Sequence, residues 1–417
     1  MSTFNAALVK QRMTEHITAR LDAGVLEGVC AGVWIGGEQV VDVCLGQRDP
    51  AANIPMTKDS LFRLASMTKP VAGCAAMQMV EAGKLELDAP ISRWLPAYEN
   101  MEVAIATPEG EILTTRPAAQ PITLRMLLTH SSGLGSGPAG DRQFAALTRE
   151  QRKDLASAVE AYAGFTLDFQ PGTTQMYSGM CGLDVACRLV EIVSGMPYDE
   201  YLKKNVFGPL EMPDTTFAPT PEQIARLVAF VDAREGVLYP MDLSPRAGFG
   251  GFVNGYTGGG AGLFSTLEDY SHLALMYLNG GEYKGRRILK AETVAAMSTP
   301  QLPEHFTGMW RRQNWGLSMR TLGETAPTVW AGDPAAKGQT VGIYGDCFYK
   351  PDAALIDPGQ PLTPGSFGWS GAYGTHFWMD PAKDLCAVYM SNLRDGGGAG
   401  APTAFEFERD VMAGFGE

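Results

Sequence analysis

A serine followed three residues later by a lysine becomes chemically useful when both lie on a helix. The chain contains this pair as Ser66-Met67-Thr68-Lys69-Pro70, preceded by Phe62-Arg63-Leu64-Ala65. Val71, Cys74, Met77 and Glu81 then trace helical turns until Gly83 can stop them. Pro70 fits the first turn, where its missing N–H would have had no partner. Residues i and i+3 share a helix face, so the Lys69 amine can reach the Ser66 hydroxyl. A lysine desolvated in a cleft can become neutral and take the hydroxyl proton. The helix N-terminus favours negative charge, which suits the Ser66 N–H to an oxyanion and lowers the lysine pKa. The chemistry expected is acyl transfer through an acyl-enzyme on Ser66.

Ser-x-x-Lys alone is weak evidence, since roughly one such match arises by chance in a chain of this size. Competing designs have less support. No serine has glycines at both −2 and +2 to form a nucleophile elbow. The five histidines, 16, 130, 272, 305 and 376, include no H-E-x-x-H, so no metal is expected. A Ser-His-Asp triad stays open, because triads assemble in space and not in sequence.

Two further motifs follow: Tyr177-Ser178-Gly179 and Trp369-Ser370-Gly371-Ala372. With Ser66-Met67-Thr68-Lys69 they have the order and approximate spacing of the three β-lactamase-type motifs. The chain thus resembles class C β-lactamases and, more closely, family VIII carboxylesterases. Leu127-Leu128-Thr129-His130-Ser131-Ser132-Gly133-Leu134 and the 258–266 stretch GGGAGLFST extend the resemblance over nearly the whole chain. It implies an α+β, β-lactamase-like fold: an antiparallel sheet flanked by helices, a mostly helical inserted domain, and the active site between them. It also implies that Tyr177 shares the general-base role with Lys69, and that the Ala372 N–H joins the Ser66 N–H in an oxyanion hole. The same likeness makes His130 structural and the Gly258–Gly262 run a close-packed turn.

Two departures from the pattern bear on the substrate. Trp369-Ser370-Gly371 stands where β-lactamases carry Lys-Thr-Gly, which removes the cation that meets a β-lactam carboxylate. Gly179 stands where an asparagine would bind the substrate amide. Both disfavour an anionic amide, while Trp369 offers a flat apolar wall to a neutral ester. Trp369, Ser370, Gly371 and Gly179 are therefore the expected substrate-binding positions.

The elements that must position these residues are legible in outline. Phe4, Leu8, Met13, Ile17 and Leu21 recur at helical spacing. Residues 29–46 read as a hairpin turning at Gly36-Gly37. Thr375–Met379 and Leu385–Asn392 read as a second hairpin about Asp380-Pro381, with the Trp369 motif on an edge strand entering it. An amphipathic stretch then runs through Phe405, Phe407, Val411 and Phe415. Both ends thus belong to one layered sheet domain, 1–95 with 260–417, while 96–259 reads as the helical insertion. The Gly/Pro-rich segments 240–262 and 325–368 are expected to wall the cleft.

Composition sets limits on partners. The chain has 417 residues, a formal charge of −13 and no basic run, which argues against nucleic acid. Cysteines 30, 44, 74, 181, 187, 347 and 386 form no C-x-x-C pair and read as buried apolar residues of a reducing compartment, with a single disulfide left open by their spacing. Neither a signal segment nor a membrane span is apparent, so a cytoplasmic location is expected. The expected function is a cofactor-free serine carboxylesterase acting on small to medium neutral esters. The alternatives are a β-lactamase, D-aminopeptidase or amidase, an acyltransferase, or a penicillin-binding-like module without turnover.

Overall fold

The computed structural model describes residues 4–234, 237–240, 256–303, 313–323, 362–394 and 402–416. Among these residues the main sheet has eight strands, numbered in chain order. They are β1 (Gly28–Ile35), β2 (Glu38–Asp49), β3 (Ile54–Pro55), β4 (Gln313–Trp315), β5 (Arg320–Leu322), β6 (Phe367–Gly371), β7 (Thr375–Asp380) and β8 (Leu385–Met390). They lie in the order β4-β5-β6-β7-β8-β1-β2-β3, every neighbour antiparallel.

Gly36 and Gly37, with φ of 59° and 81°, make the tight turn from β1 to β2 that only positive φ at both positions allows. The β7–β8 hairpin also forms as expected. β1 pairs with β8, with Cys30 opposite Met390 and Ile35 opposite Leu385. The first and last parts of the chain therefore share one sheet.

β8 is apolar throughout because both of its faces are covered. Leu385, Ala387 and Tyr389 pack under the terminal helices Ala6–Asp22 and Pro402–Met412, against Val9, Met13, Phe407 and Val411. Cys386, Val388 and Met390 face the other way, into a core that runs through Met67 and Val71 to Leu183 and Val190 of the middle segment. Among the described residues of that segment, helices are the main regular elements. Its longest helix is Cys181–Ser194, and it also carries two small hairpins that the sequence reading did not include.

One expectation is corrected by the sheet order. β6 is not an edge strand, because β5 lies on its outer side, with Arg320 opposite Gly368 and Thr321 opposite Phe367. Among the described residues the pairing of β5 with β6 ends at Gly368. Most of the two segments expected as cleft walls, 240–262 and 325–368, lies outside the described residues.

Strand alternation has a second consequence. Ser370 is 2% exposed and turns to the face opposite Trp369, where its Oγ meets His376 Nδ1 at 2.6 Å. His376 Nε2 in turn meets Glu408 Oε1 at 3.0 Å, and the Arg320 guanidinium donates to the same oxygen at 3.1 Å. Burial alone would raise the Glu408 carboxyl, but His376 and Arg320 prevail and hold it below the usual range. This serine–histidine–acid chain has the connectivity of a triad but is closed to solvent, with His376 2% and Glu408 1% exposed. It fastens the last helix to β5, β6 and β7. Glu408→Leu leaves the Arg320 cation buried without its carboxylate, and should lower stability by about 3 kcal/mol. The check is the urea unfolding midpoint, and an unchanged midpoint would contradict this structural role.

Candidate active site

Ser66 lies in a 3₁₀ turn, Ala65–Met67, that leads directly into the helix Thr68–Glu81. Ala65 has φ of 45°, a left-handed conformation that a residue with a Cβ adopts only when its surroundings impose it. Several contacts impose it. Arg63 N–H donates to Asn392 Oδ1 at 3.1 Å, and Leu64 N–H donates to the Leu263 carbonyl at 2.9 Å. Thr375 Oγ1 donates to the Leu64 carbonyl at 3.1 Å. The chain before the serine is thus held from two sides.

Lys69 is fully buried, one turn along the same helix face, while Ser66 is half-buried. Lys69 Nζ donates to the carbonyls of Gly179 and Gly260, each at 2.7 Å, and lies 3.3 Å from Ser66 Oγ. Burial pushes its pKa down to about 7, against the field of Asp184, which raises it. Asp184 is itself buried, on the helix Cys181–Ser194. Its Oδ1 accepts the N–H groups of Gly259 and Gly260 at 2.8 and 3.1 Å. Its Oδ2 accepts the hydroxyls of Tyr256 and Tyr162 at 2.8 and 3.2 Å. Asp184 therefore fixes the glycine turn whose carbonyl holds Lys69. A Cβ on Gly260 would come within 2.6 Å of the Gly179 carbonyl, so only glycine lets the two acceptors converge.

Tyr177 reaches the same place from the segment before that helix. Its ring lies 4.8 Å from Lys69 Nζ, and its hydroxyl accepts the Trp369 indole N–H at 3.3 Å. His130 brackets it on both sides. The His130 carbonyl accepts the Met176 N–H at 3.1 Å, and its Nδ1 accepts the Ser178 N–H at 3.1 Å. Burial, reinforced by Lys69, holds His130 well below the usual histidine range, so the ring is neutral with its proton on Nε2. His130 sits at φ of 57° just past the helix Leu124–Leu128, the structural position expected of it.

Trp369 and Gly371 share the face of β6 that meets these groups. Trp369 is 5% exposed and packs edge-on against Trp315 at 4.5 Å, so it braces Tyr177 more than it opens as a wall. A Cβ on Gly371 would lie 2.1 Å from the Leu64 carbonyl oxygen, so glycine is what allows β6 to touch the Ser66 turn. Ala372 follows at the end of the strand, half-buried. Gly179 takes part through its backbone carbonyl. The Ser370 side chain is the exception: bound to His376 on the other face, it cannot meet a substrate in this cleft.

The structure thus brings together Ser66, Lys69, Tyr177, Gly179, Trp369 and Gly371, which are far apart in sequence. Sequence reasoning missed Asp184, Trp315 and Asn392. Asp184 carried one usable signal, as a lone acid on the apolar face of a helix. Among the described residues no group of His, Cys, Asp and Glu could hold a metal ion, and no helix is long and apolar enough to cross a membrane.

Comparison with known proteins agrees with this architecture. The beta-lactamase family model matches residues 7–408. Protein Rv1367c of Mycobacterium tuberculosis is 34% identical, over 88% of this chain and 86% of that protein. Esterase EstB of Burkholderia gladioli is 29% identical, over 96% of this chain and 95% of its own. Among solved structures, EstCE1, described as a hydrolase with promiscuous acyltransferase activity, superposes with a TM-score of 0.76 at 22% identity. It covers 98% of this chain and 99% of its own. The fold is β-lactamase-like, and the chain belongs to the beta-lactamase family of serine hydrolases.

Proposed function

We propose that the chain is a serine carboxylesterase that hydrolyses small to medium neutral esters through an acyl-enzyme on Ser66. The observation that carries this reading is the position of Lys69. Two carbonyls at 2.7 Å fix two of its N–H bonds, leaving its third tetrahedral direction for Ser66 Oγ. In the neutral amine that direction is a lone pair, and with a pKa of about 7 the neutral form is well populated at neutral pH.

Ser66 Oγ attacks the ester carbonyl while its proton passes to Lys69, with Tyr177 completing the general-base pair. The new ammonium sits over the Tyr177 ring, which favours the charge. The oxyanion is met by the N–H groups of Ser66 and Ala372, each contributing on the order of 3 kcal/mol to the transition state. The proton then goes to the departing alcohol, and water repeats the sequence to release the acid. Trp369 and the side-chain-free Gly179 support a neutral substrate, as does the esterase named among the relatives.

Acyl transfer to an alcohol is a second reading, supported by the acyltransferase activity named for EstCE1. It is tested by adding an alcohol during p-nitrophenyl butyrate turnover: a new ester at the expense of the acid supports transfer. Nitrocefin turnover faster than that of the ester would instead favour a β-lactamase.

Ser66→Ala should lower kcat on p-nitrophenyl butyrate by on the order of 10⁴-fold or more. Near-normal turnover would refute the proposal. Because the base must be neutral, kcat/KM should rise with pH through about 7, the value to which burial lowers Lys69. Asp184→Asn removes a negative charge that raises the Lys69 pKa, so the acid limb should move to lower pH, measured as a pH–rate profile. Trp369→Phe deletes the N–H that Tyr177 accepts and should reduce kcat more than it raises KM, by about 10-fold.

A further inference from the structure

Cys30 and Cys44 lie on the first hairpin, away from Ser66. With a two-residue turn at Gly36-Gly37, Ile35 pairs with Glu38 and Trp34 with Gln39, a register that would carry Cys30 opposite Val43. A bulge between Val33 and Trp34 breaks that register. Val33 pairs with Val41, leaving Val40 unpaired, and Cys30 falls directly opposite Cys44. Residues so paired have Cα atoms about 4.5 to 5.5 Å apart, inside the range that a disulfide spans. The two Sγ atoms are 2.6 Å apart. That is well inside the contact distance of two unbonded sulfurs.

The two thiols differ in access. Cys30 is fully buried, and its thiol donates to the Thr57 carbonyl at 3.3 Å. Cys44 is half-buried and lines a cavity of about 540 Å³, together with Trp34, Asp42, Lys58, Leu267 and His272. The contact with Cys30 lowers the Cys44 pKa and Lys58 adds to this, while burial, Asp42 and Asp59 oppose it. The same contact and burial raise Cys30 far above the thiol range. Cys44 is therefore the more accessible thiol and the more readily deprotonated one, and Cys30 is held against it as the resolving group.

We propose that Cys30 and Cys44 are a redox-reactive pair that closes to a disulfide on exposure to a hydroperoxide entering through this cavity. The Cys44 thiolate attacks the peroxide oxygen, forming a sulfenic acid and expelling hydroxide or an alkoxide, which takes up the proton the Cys44 thiol gave up and leaves as water or an alcohol. The Cys30 sulfur then displaces hydroxide from that sulfenic acid and gives up its proton. Two thiols and one hydroperoxide become one disulfide, one water and one further water or alcohol.

The full-length reduced protein is treated with hydrogen peroxide, alkylated with N-ethylmaleimide under denaturing conditions, and mapped without reduction. The expected result is a peptide pair cross-linked between Cys30 and Cys44, and two fewer alkylated thiols than in untreated protein. In Cys30→Ser, dimedone should trap Cys44 as a sulfenic acid. In Cys44→Ser, Cys30 should stay fully alkylated. Ester turnover by each variant confirms that it is folded. Three outcomes would overturn the proposal: both cysteines still alkylated in treated wild type, Cys44 oxidised to the sulfinic acid while Cys30 remains free, or a disulfide joining Cys44 to any other cysteine.

Discussion

A cation is buried at the centre of this protein, and much of the surrounding structure exists to make that tolerable. An ammonium taken from water without partners costs several kcal/mol. Lys69 meets that cost with two backbone carbonyls and with Asp184 behind one of them. Those acceptors come from two separate segments that converge only because residue 260 lacks a side chain. Compensation is incomplete, and the deficit is what moves the lysine toward neutrality. A better-solvated or better-paired lysine would keep its proton.

Rigidity around the site follows the same logic. The tyrosine is bracketed by a neutral histidine that binds the backbone on either side of it, so its ring does not depend on a flexible loop for position. Burial of His130 next to a lysine keeps it uncharged, which avoids placing a second cation near the first. On the far face of the sheet, the Ser370–His376–Glu408 chain shows that hydrogen-bond order alone does not make a catalytic site. Ser66 is half-buried, whereas Ser370 is closed to solvent.

What could be read from the sequence depended on how local the cause was. Ser66 and Lys69 were legible because a helical period of three residues sets their relation. The first hairpin was legible from Gly36-Gly37, but the bulge that shifts its register left no residue signature, so the pairing of Cys30 with Cys44 was not. Asp184 acts through backbone N–H groups some seventy-five residues away, and such contacts leave no trace in motif spacing. The substrate contact expected of Ser370 failed because a motif gives the order of residues, while the strand's alternation decides which face each one meets. β6 was expected at an edge because β4 and β5, at three residues each, are too short to show a period.

The contact between β6–β7 and the Ser66 turn has a consequence for how the protein comes into being. Thr375 reaches back to Leu64 across 311 positions of the chain, and β8 must pair with β1 for the sheet to close. Ser66 therefore emerges from the ribosome long before the strand that completes its surroundings. During synthesis Ser66 is present without the strand contacts that hold its turn. Joining the two ends of the polypeptide is slow, because so long a loop must close first. The same act that finishes folding assembles the surroundings of Ser66.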